Sequence, residues 1–323
     1  MKRVLVRYKD NFIYGDMILL QTIYAISVLI IQVVGNPTNK ITEAIRLTRP
    51  KNIPATVVLG LAGAHIMNPF SITKTLAIQC IESTLIMSNS MILNDICDVE
   101  LDRINNHERP LIKGTIKKEE AIMFSIVLSA ITEAINVLYL PKHLRWIIHG
   151  ALVYIHLYTP VLKKVPVIKN IACAVLVAFS VVFSGLTSPE RVFQSPNRWV
   201  LYIMTNAIFG GSWTNEILLD IRDVMGDKAN GIRTLATLYG KETAWTIVNM
   251  LLYINVWMNT TALVYLGMPS FFYIGIMVPQ FYMLNKVEKN KFSNTSIQTY
   301  LNYTTKTMFA LLIYFSYIHP YTL

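Results

Sequence analysis

Long apolar stretches alternate with short polar stretches over most of the chain. Runs of roughly 15–22 mostly apolar residues recur, close to the ~20 residues with which a helix crosses a bilayer at about 1.5 Å per residue. Several runs contain Asn, Thr or Pro, which indicates helices that face one another or a wet cavity as well as lipid. The runs begin near Met17, Ile53, Thr75, Ala121, Leu144, Asn170, Val200, Ala244, Ser270 and Thr304.

This pattern predicts an all-α fold, a polytopic membrane helical bundle with nine core transmembrane helices from Ile53 onward around a central cavity. Composition agrees, because 53% of the residues are hydrophobic and only 15% are charged, which is more apolar surface than a soluble core of this size would bury. The net charge of +10 does not indicate nucleic-acid binding, since the basic residues are split among the loops. The dispersed cysteines and histidines predict neither disulfides nor a thiol or imidazole metal site.

The loops between the nine predicted helices fall into two sets if the helices alternate in direction. One set holds nearly all the cations, which by the positive-inside rule makes that face cytoplasmic or its organellar equivalent. This expectation leaves the host membrane open. The cations of this face include Lys40, Arg46, Arg49, Arg103, Arg109, Lys113, Lys163, Lys164, Lys169, Arg222, Lys228, Arg233 and Lys286.

Residues 1–41 form a separate N-terminal extension in this prediction, and residues 42–323 form the core domain. The extension has a basic start followed by the apolar run Met17–Val34. An extra helix or a membrane anchor fits this pattern. An organelle-targeting segment is the alternative, but Asp10 and Asp16 count against it.

An internal repeat is the most informative feature of the sequence. The sequence contains two aspartate triads that lie 125 positions apart and have the same internal spacing. They are Asp95, Asp98 and Asp102, and Asp220, Asp223 and Asp227. Each triad ends an apolar run and precedes a loop with glycine and basic residues, on the face that carries the cations. The repeat predicts two related half-bundles that face each other around one site.

Each triad places three carboxylates on one helix face, because positions i, i+3 and i+7 align at 3.6 residues per turn. Asn94 and Glu216 flank these faces and can join them. A solvated charged helix end is the alternative. Two identical spacings among only 19 acidic residues favour a binding site over a solvated helix end. Each carboxylate in the bilayer would cost on the order of 2.5–3.5 kcal/mol, so six of them near span ends imply a polar cavity lined by protein. The predicted metal ligands are Asp95, Asp98, Asp102, Asp220, Asp223 and Asp227.

Cations beside these acids point to a metal-bridged anion. All-oxygen ligands suit Mg²⁺, which binds proteins through a few carboxylates together with substrate phosphates, and Lys and Arg would balance the remaining phosphate charge. In a membrane the fitting ligand is a prenyl diphosphate, whose pyrophosphate would leave and whose allylic cation an electron-rich acceptor would attack. Four aromatic residues are candidates for stabilising that cation, with ordinary packing as the alternative: Tyr154, Tyr158, Phe209 and Trp213.

Two long motifs resemble those of the UbiA superfamily of intramembrane prenyltransferases. NDICDVELDRINNHERPLIKG at Asn94–Gly114 is similar to its first aspartate motif, and EILLDIRDVMGDKANGIRTLATLYG at Glu216–Gly240 is similar to its second. Weaker matches are RLTRPKN at Arg46–Asn52 and YTPVLKK at Tyr158–Lys164. The resemblance extends from about Thr42 to the C-terminus.

The resemblance implies a nine-helix, Mg²⁺-dependent prenyltransferase. It would transfer a prenyl group from a polyprenyl diphosphate to a small lipophilic or aromatic acceptor within the membrane, and we expect an aromatic or quinone precursor first. A glycerol-phosphate lipid precursor and a terpene cyclase on the same scaffold remain alternatives. A cation transporter is disfavoured, because it would place acids near span centres, whereas both triads lie at span ends.

Site roles carry over by position. We expect catalysis from Asp98, Asp223, Lys163 and Tyr158, and substrate binding by Asn94, Arg46, Arg109, Arg222, Lys228 and Arg233. The chain departs from the family pattern at three positions, His107, Met225 and Ala236. None of the three removes a predicted metal ligand. The departures therefore leave the expected chemistry unchanged, and they leave the subfamily open.

Overall fold

The structure is a computed structural model that describes residues 40–68, 72–104, 108–158, 161–187 and 194–318. Within these ranges the ordered elements are helices, without a strand. The predicted N-terminal helix or anchor, with its apolar run Met17–Val34, lies outside the described residues and stays a prediction.

Nine helices of 15 or more residues occur in the described part of the chain, the number predicted for the core. They are α2 (Ile53–Met67), α3 (Lys74–Cys97), α6 (Lys118–Tyr139), α7 (Lys142–Tyr158), α8 (Ile168–Gly185), α9 (Arg198–Arg222), α12 (Lys241–Tyr265), α13 (Ser270–Lys289) and α14 (Asn294–Tyr317). Short helices lie between them: α1 (Lys40–Leu47), α4 (Val99–Ile104), α5 (Pro110–Lys113), α10 (Val224–Ala229) and α11 (Leu235–Tyr239). Single 3₁₀ turns span Pro50–Asn52 and Leu162–Lys164.

Eight of the nine helices begin within three residues of the start of their apolar run. The last apolar run begins near Thr304, but α14, which contains it, begins at Asn294. The Ser293 side chain caps the helix by accepting a hydrogen bond from the Ser296 backbone N–H at 3.3 Å. The cap starts the helix about ten residues before its apolar part, so hydropathy alone located the apolar part only.

The protein is an integral, multi-pass membrane protein. By length and composition alone, four helices of the described residues can cross a membrane, namely α3, α6, α8 and α12. Large apolar side chains point outward from the bundle, among them Trp146, Trp257 and Phe271, which are 78%, 69% and 63% exposed. Such a surface is suited to lipid and not to water.

The helices form two halves, each built around the long helix that ends in an aspartate motif. In the first half α3 packs against α2, α6 and α7, and in the second half α9 packs against α8 and α12, which in turn contacts α13. The last helix, α14, packs against α2, α9 and α13. The halves meet where α2 crosses α8, and a Cβ added to Gly63 there would stand 2.1 Å from the Val181 carbonyl oxygen. Glycine therefore permits this close crossing.

Buried amides tie the central helix pair of each half together. In the first half Asn89 Nδ2 donates to Ser129 Oγ at 2.7 Å and Asn89 Oδ1 accepts from Ser125 Oγ at 2.6 Å. In the second half Asn206 Nδ2 donates to Asn259 Oδ1 at 3.0 Å. These bonds fix how the helices are rotated toward one another, because an unpaired amide in the bilayer is costly.

Candidate functional site

Both aspartate motifs interrupt a long helix at their middle residue. The helix α3 ends at Cys97, Asp98 has φ −97° and ψ 9°, and the six-residue helix α4 follows. The helix α9 ends at Arg222, Asp223 has φ −93° and ψ 10°, and the six-residue helix α10 follows. The internal repeat seen in the sequence therefore extends to the backbone conformation.

The two motifs lie face to face at one end of the bundle. The short helices α4 and α10 contact each other. Four of the six carboxylates are buried, with 3% to 6% of each residue exposed: Asp95, Asp102, Asp220 and Asp227. The middle residues are more accessible, since 14% of the Asp98 side chain and 26% of the Asp223 side chain are exposed. The two motifs that carry the six predicted metal ligands thus lie next to each other through α4 and α10.

Cations from other parts of the chain surround the first motif. Arg49 Nη2 and Arg109 Nη1 each lie 2.6 Å from Asp95 Oδ1, and Arg109 Nη1 also lies 2.5 Å from Asp102 Oδ2. The Lys163 ammonium forms an ion pair with Asp98 and donates to Asn94 Oδ1 at 3.2 Å. Because ionised partners make the stronger hydrogen bonds, this network holds the three carboxylates in fixed positions.

The second motif has fewer cations. Lys169 Nζ lies 2.6 Å from Asp220 Oδ1, and Asn170 Nδ2 donates to Asp220 Oδ2 at 3.0 Å. Arg222 binds its neighbour Asp223 with two hydrogen bonds of 2.8 Å, from Nε and Nη2. Asp227 has no ion pair among the residues that the structure describes.

The segments that enter α2 and α8 both use left-handed backbone near these cations. Arg49 has φ 50°, and Val167 has φ 68° just before the helix that carries Lys169 and Asn170. Positive φ is unusual for a residue with a side chain and most unusual for a β-branched one. Such strain often occurs at functional sites, where surrounding contacts maintain it. Here the two turns direct the Arg49 and Lys169 side chains onto the aspartates.

Several predicted binding residues lie outside this ion-pair network. Arg46 pairs with Glu43 on its own helix. Lys228 and Arg233 are exposed and form no ion pair in the described ranges. Tyr158 is buried between α7 and α8, where its hydroxyl lies 3.3 Å from Cys173 Sγ and donates to the Lys169 carbonyl at 3.4 Å.

Three residues of the network were absent from the predicted site: Arg49, Lys169 and Asn170. The signal for Arg49 was present, because it lies in the RLTRPKN segment that contains Arg46. Lys169 and Asn170 begin a predicted apolar span on the cation-rich face. Nothing in the local sequence distinguishes them from neighbouring polar residues, since their contact with Asp220 depends on how α8 lies against α9.

Burial changes the acidity of the last aspartate in each motif. Desolvation raises the pKa of Asp102 to about 6, against the opposing effect of the Arg109 charge. Desolvation also raises the pKa of Asp227 to about 6, opposed by Lys169. A divalent cation would favour the ionised form of both groups, because carboxylates bind metals deprotonated.

The donor set of the site fits a hard divalent cation. Its ligand atoms are carboxylate and amide oxygens, which Mg²⁺ prefers over nitrogen or sulfur ligands. In the described part of the chain no three acidic, histidine or cysteine side chains already converge on one metal position. The carboxylates are instead spread across the facing motifs and paired with cations, an arrangement suited to metals that arrive with an anionic ligand.

Comparisons with known proteins agree with this architecture. A family model described as the UbiA prenyltransferase family matches residues 52–296. Digeranylgeranylglyceryl phosphate synthase of Sulfolobus acidocaldarius is 31% identical over 238 residues, which cover 72% of this chain and 82% of that protein. The protein of the same name from Methanospirillum hungatei is 33% identical over 220 residues, 64% of this chain and 75% of that protein. A solved UbiA homolog from Archaeoglobus fulgidus bound to DMAPP and Mg²⁺ has a TM-score of 0.61 at 18% identity, covering 84% of this chain and 99% of that one.

Proposed function

This chain belongs to the UbiA prenyltransferase family, and on that premise we propose that it transfers a prenyl group from a polyprenyl diphosphate to the hydroxyl of a glycerol-phosphate lipid precursor. The protein is a prenyltransferase, as its family and relatives are. The acceptor and the residue roles below are the proposal.

The relatives favour the glycerol-phosphate acceptor over the aromatic or quinone precursor that was expected first. Relatives at 31% and 33% identity are named digeranylgeranylglyceryl phosphate synthases. Their named product carries two geranylgeranyl groups on one glyceryl phosphate. Its second group would be added to a glycerol phosphate that already carries the first, so the acceptor is itself a prenylated lipid.

The observation that carries the proposal is the pair of facing aspartate motifs with cations on five of their six carboxylates. We assign Mg²⁺ to these motifs, since the fold-related Archaeoglobus protein was solved with DMAPP and Mg²⁺. Bound Mg²⁺ would stabilise the charge that develops on the leaving pyrophosphate. The proposed ligands are Asp95, Asp98, Asp102, Asp220, Asp223 and Asp227.

The cations of the network have a second task in this proposal. With metal on the carboxylates, the side chains of Arg49, Arg109, Lys163 and Lys169 would be released to donate to phosphate oxygens. A glycerol-phosphate acceptor adds a further phosphate. The exposed Lys228 and Arg233 beside the second motif, which form no ion pair among the described residues, would bind it. An acceptor without a phosphate would leave these two cations without a ligand.

The prenyl chain needs an apolar path from the site into the bundle. A cavity of about 590 Å³ lies between α2, the start of α3 and the end of α14. Its lining is mainly apolar and includes Val58, Leu61, Phe309 and Leu312. The cavity lies toward the Met67 end of α2, remote from Arg49 and the aspartates, so in this proposal it would take the far end of a long prenyl chain and not the part next to the diphosphate.

The test uses the purified full-length protein in lipid nanodiscs with labelled geranylgeranyl diphosphate. Parallel reactions contain geranylgeranylglyceryl phosphate, an aromatic acid acceptor such as 4-hydroxybenzoate, or no acceptor, each with Mg²⁺ or with excess chelator. We expect a doubly prenylated glycerol phosphate, identified by mass, only with the first acceptor and only with Mg²⁺. A prenylated aromatic acid as the main product would overturn the acceptor assignment, and a cyclised hydrocarbon without acceptor would overturn transfer itself. The Asp223→Asn variant controls for contaminating activity.

A further inference from the structure

Glu216 lies on the same face of α9 as the second aspartate motif. Four residues of this face recur at helical spacing within α9, from the interior of the bundle toward the site: Phe209, Trp213, Glu216 and Asp220. Asp223 follows at the end of α9, and Asp227 lies on α10. Glu216 is one turn before Asp220, which places it about 6 Å deeper along the helix axis. Beyond it, the Phe209 and Trp213 rings pack with their centroids 5.7 Å apart. The face therefore passes from carboxylates to one further acid and then to aromatic surface.

The first half of the molecule has no acid at the corresponding position. The residue 125 positions before Glu216 is Met91, and the residues that correspond to Phe209 and Trp213 are Thr84 and Ser88. Both halves supply the same three aspartates, so the repeated metal motif does not account for Glu216. A function that only one half performs would account for it.

The Glu216 carboxylate has a neutral partner and no paired cation. It makes a side-chain hydrogen bond with the Cys173 thiol, and Tyr158 is a further neighbour. The nearest cations, Lys163 and Lys169, are engaged by Asp98 and Asp220. Glu216 itself forms no ion pair within 4.0 Å in the described part of the chain.

A second polar group on the same face awaits a partner. The Trp213 indole Nε1 is buried and has no hydrogen-bond acceptor among the described residues. A buried N–H without an acceptor costs about 1–3 kcal/mol, which is why such donors are rare outside ligand sites. An acid and an indole N–H separated by one turn of α9 thus lie between the aspartates and the apolar interior.

We propose that Glu216 is the base that takes the proton from the acceptor hydroxyl during prenyl transfer. This inference rests on the proposed function, in which the acceptor is an alcohol. The bond between C1 of the prenyl group and the diphosphate oxygen breaks, and its electron pair leaves with pyrophosphate. The acceptor oxygen forms the new bond to C1, and its proton passes to a Glu216 carboxylate oxygen.

The depth of Glu216 supports this role. A diphosphate held by the aspartates places the reacting carbon C1 one bond beyond its inner phosphate, on the side of the aromatic residues. The attacking oxygen must lie about 3–3.5 Å from C1, and a base must lie within about 3.2 Å of that oxygen. Glu216, one turn below Asp220, is at that depth, whereas the aspartates lie at the depth of the phosphates.

The experiment compares Glu216→Gln and Glu216→Asp with the wild type, all as full-length protein in nanodiscs with geranylgeranyl diphosphate and geranylgeranylglyceryl phosphate. We expect Glu216→Gln to lower kcat for transfer about 100-fold, within the usual range for losing a general base. The KM for the diphosphate and the Mg²⁺ concentration for half-maximal activity should stay unchanged. Glu216→Asp, which keeps the carboxylate, should recover part of the lost rate. Met91→Gln, the matched change in the other half, should remain close to wild type.

Release of pyrophosphate without acceptor separates a base from a metal ligand. A base acts after C1 ionises, so Glu216→Gln should retain the slow acceptor-independent release of the wild type. If this release falls as much as transfer, or if the Mg²⁺ requirement rises, Glu216 is a metal ligand and the proposal is overturned. Transfer at the wild-type rate by Glu216→Gln would overturn it as well. A wild type that forms no prenylated glycerol phosphate would instead refute the proposed function, and the variants are not needed to detect that result.

Discussion

The helix pair α3–α4 and the helix pair α9–α10 have the same backbone course but different electrostatic surroundings. Both break at the middle aspartate, with φ and ψ that agree within a few degrees. The carboxylates of the first pair meet Arg49, Arg109 and Lys163, all brought from other segments. In the second pair only Lys169 comes from a distant segment, and Asp227 keeps no ion pair within the described ranges.

This difference teaches that the two halves share the spacing and backbone of their aspartates while each has its own set of neighbouring charges. The first motif is clamped by cations and is suited to a fixed diphosphate. The second is more open and is flanked by exposed cations, a further acid and aromatic surface, which suits the side where an acceptor enters. The predictions below test this division.

The largest effect is expected where the halves are alike. Asp98→Asn and Asp223→Asn keep the shape of each side chain and remove its charge, so each should lower kcat by about a hundredfold or more through loss of metal and leaving-group stabilisation. Turnover with saturating Mg²⁺ measures the effect. Glu100→Gln, a neighbour whose side chain is 74% exposed, is the matched control and should retain activity. Unequal losses at the two aspartates would break the symmetry on which the comparison rests.

A smaller effect, on the KM for substrate, should distinguish Arg109 from Arg233, which follow the first and the second aspartate motif at similar distances. Arg109 precedes Pro110 and Leu111, and bridges two carboxylates of its motif, whereas Arg233 precedes Thr234 and Leu235 and is exposed. Arg109→Gln should raise the KM for the prenyl diphosphate by about 10–100-fold, the effect of losing charged hydrogen bonds of about 1.5–3 kcal/mol.

Arg233→Gln should change the KM for the acceptor only a few-fold, because exposed charges are screened by salt. Titration of each substrate at two ionic strengths measures both variants. A larger effect of Arg233→Gln on the diphosphate than that of Arg109→Gln would reverse the assignment of the two halves.

Arg49 and Arg46 offer a comparison within the first half. Arg49 contacts Asp95 and Arg46 contacts Glu43. Arg49→Gln should therefore raise the KM for the diphosphate about tenfold, and more than Arg46→Gln does. Arg103→Gln, which removes an exposed partner of Glu100, is the control expected to behave as wild type. Steady-state kinetics of the three variants decide whether Arg46 belongs to the binding site.

The smallest effect on catalysis is expected at the contact between the halves. Gly63→Ala would place a methyl group against the Val181 carbonyl, and should lower the free energy of unfolding by about 1–3 kcal/mol with kcat little changed. Gly211→Ala adds the same methyl group to α9 where no atom lies within 4 Å, so its stability should match or exceed that of the wild type. Thermal melts in the same detergent compare the two. Equal melting temperatures would show that the crossing of α2 and α8 tolerates separation.

Much of this arrangement was accessible from the sequence. Hydropathy located all nine long helices and the starts of eight of them, because lipid requires long apolar runs whatever the tertiary contacts are. The repeat spacing identified the six aspartates, since helical geometry alone puts them on one face. Which cations meet them was less accessible. Arg46 and Arg49 are only three residues apart in the sequence. Arg46 lies within α1, whereas Arg49 follows the end of α1 at Leu47 and has a left-handed backbone, and it is Arg49 that contacts Asp95.

The cations on the aspartates also bear on how the protein is made. An unneutralised carboxylate in the bilayer interior costs on the order of 2.5–3.5 kcal/mol, so an exposed set of them would hinder the assembly of newly inserted helices. Lysine and arginine already balance five of the six carboxylates. The charge of the aspartate motifs is therefore largely neutralised by the chain itself, and this lowers the cost of bringing the two helix ends together.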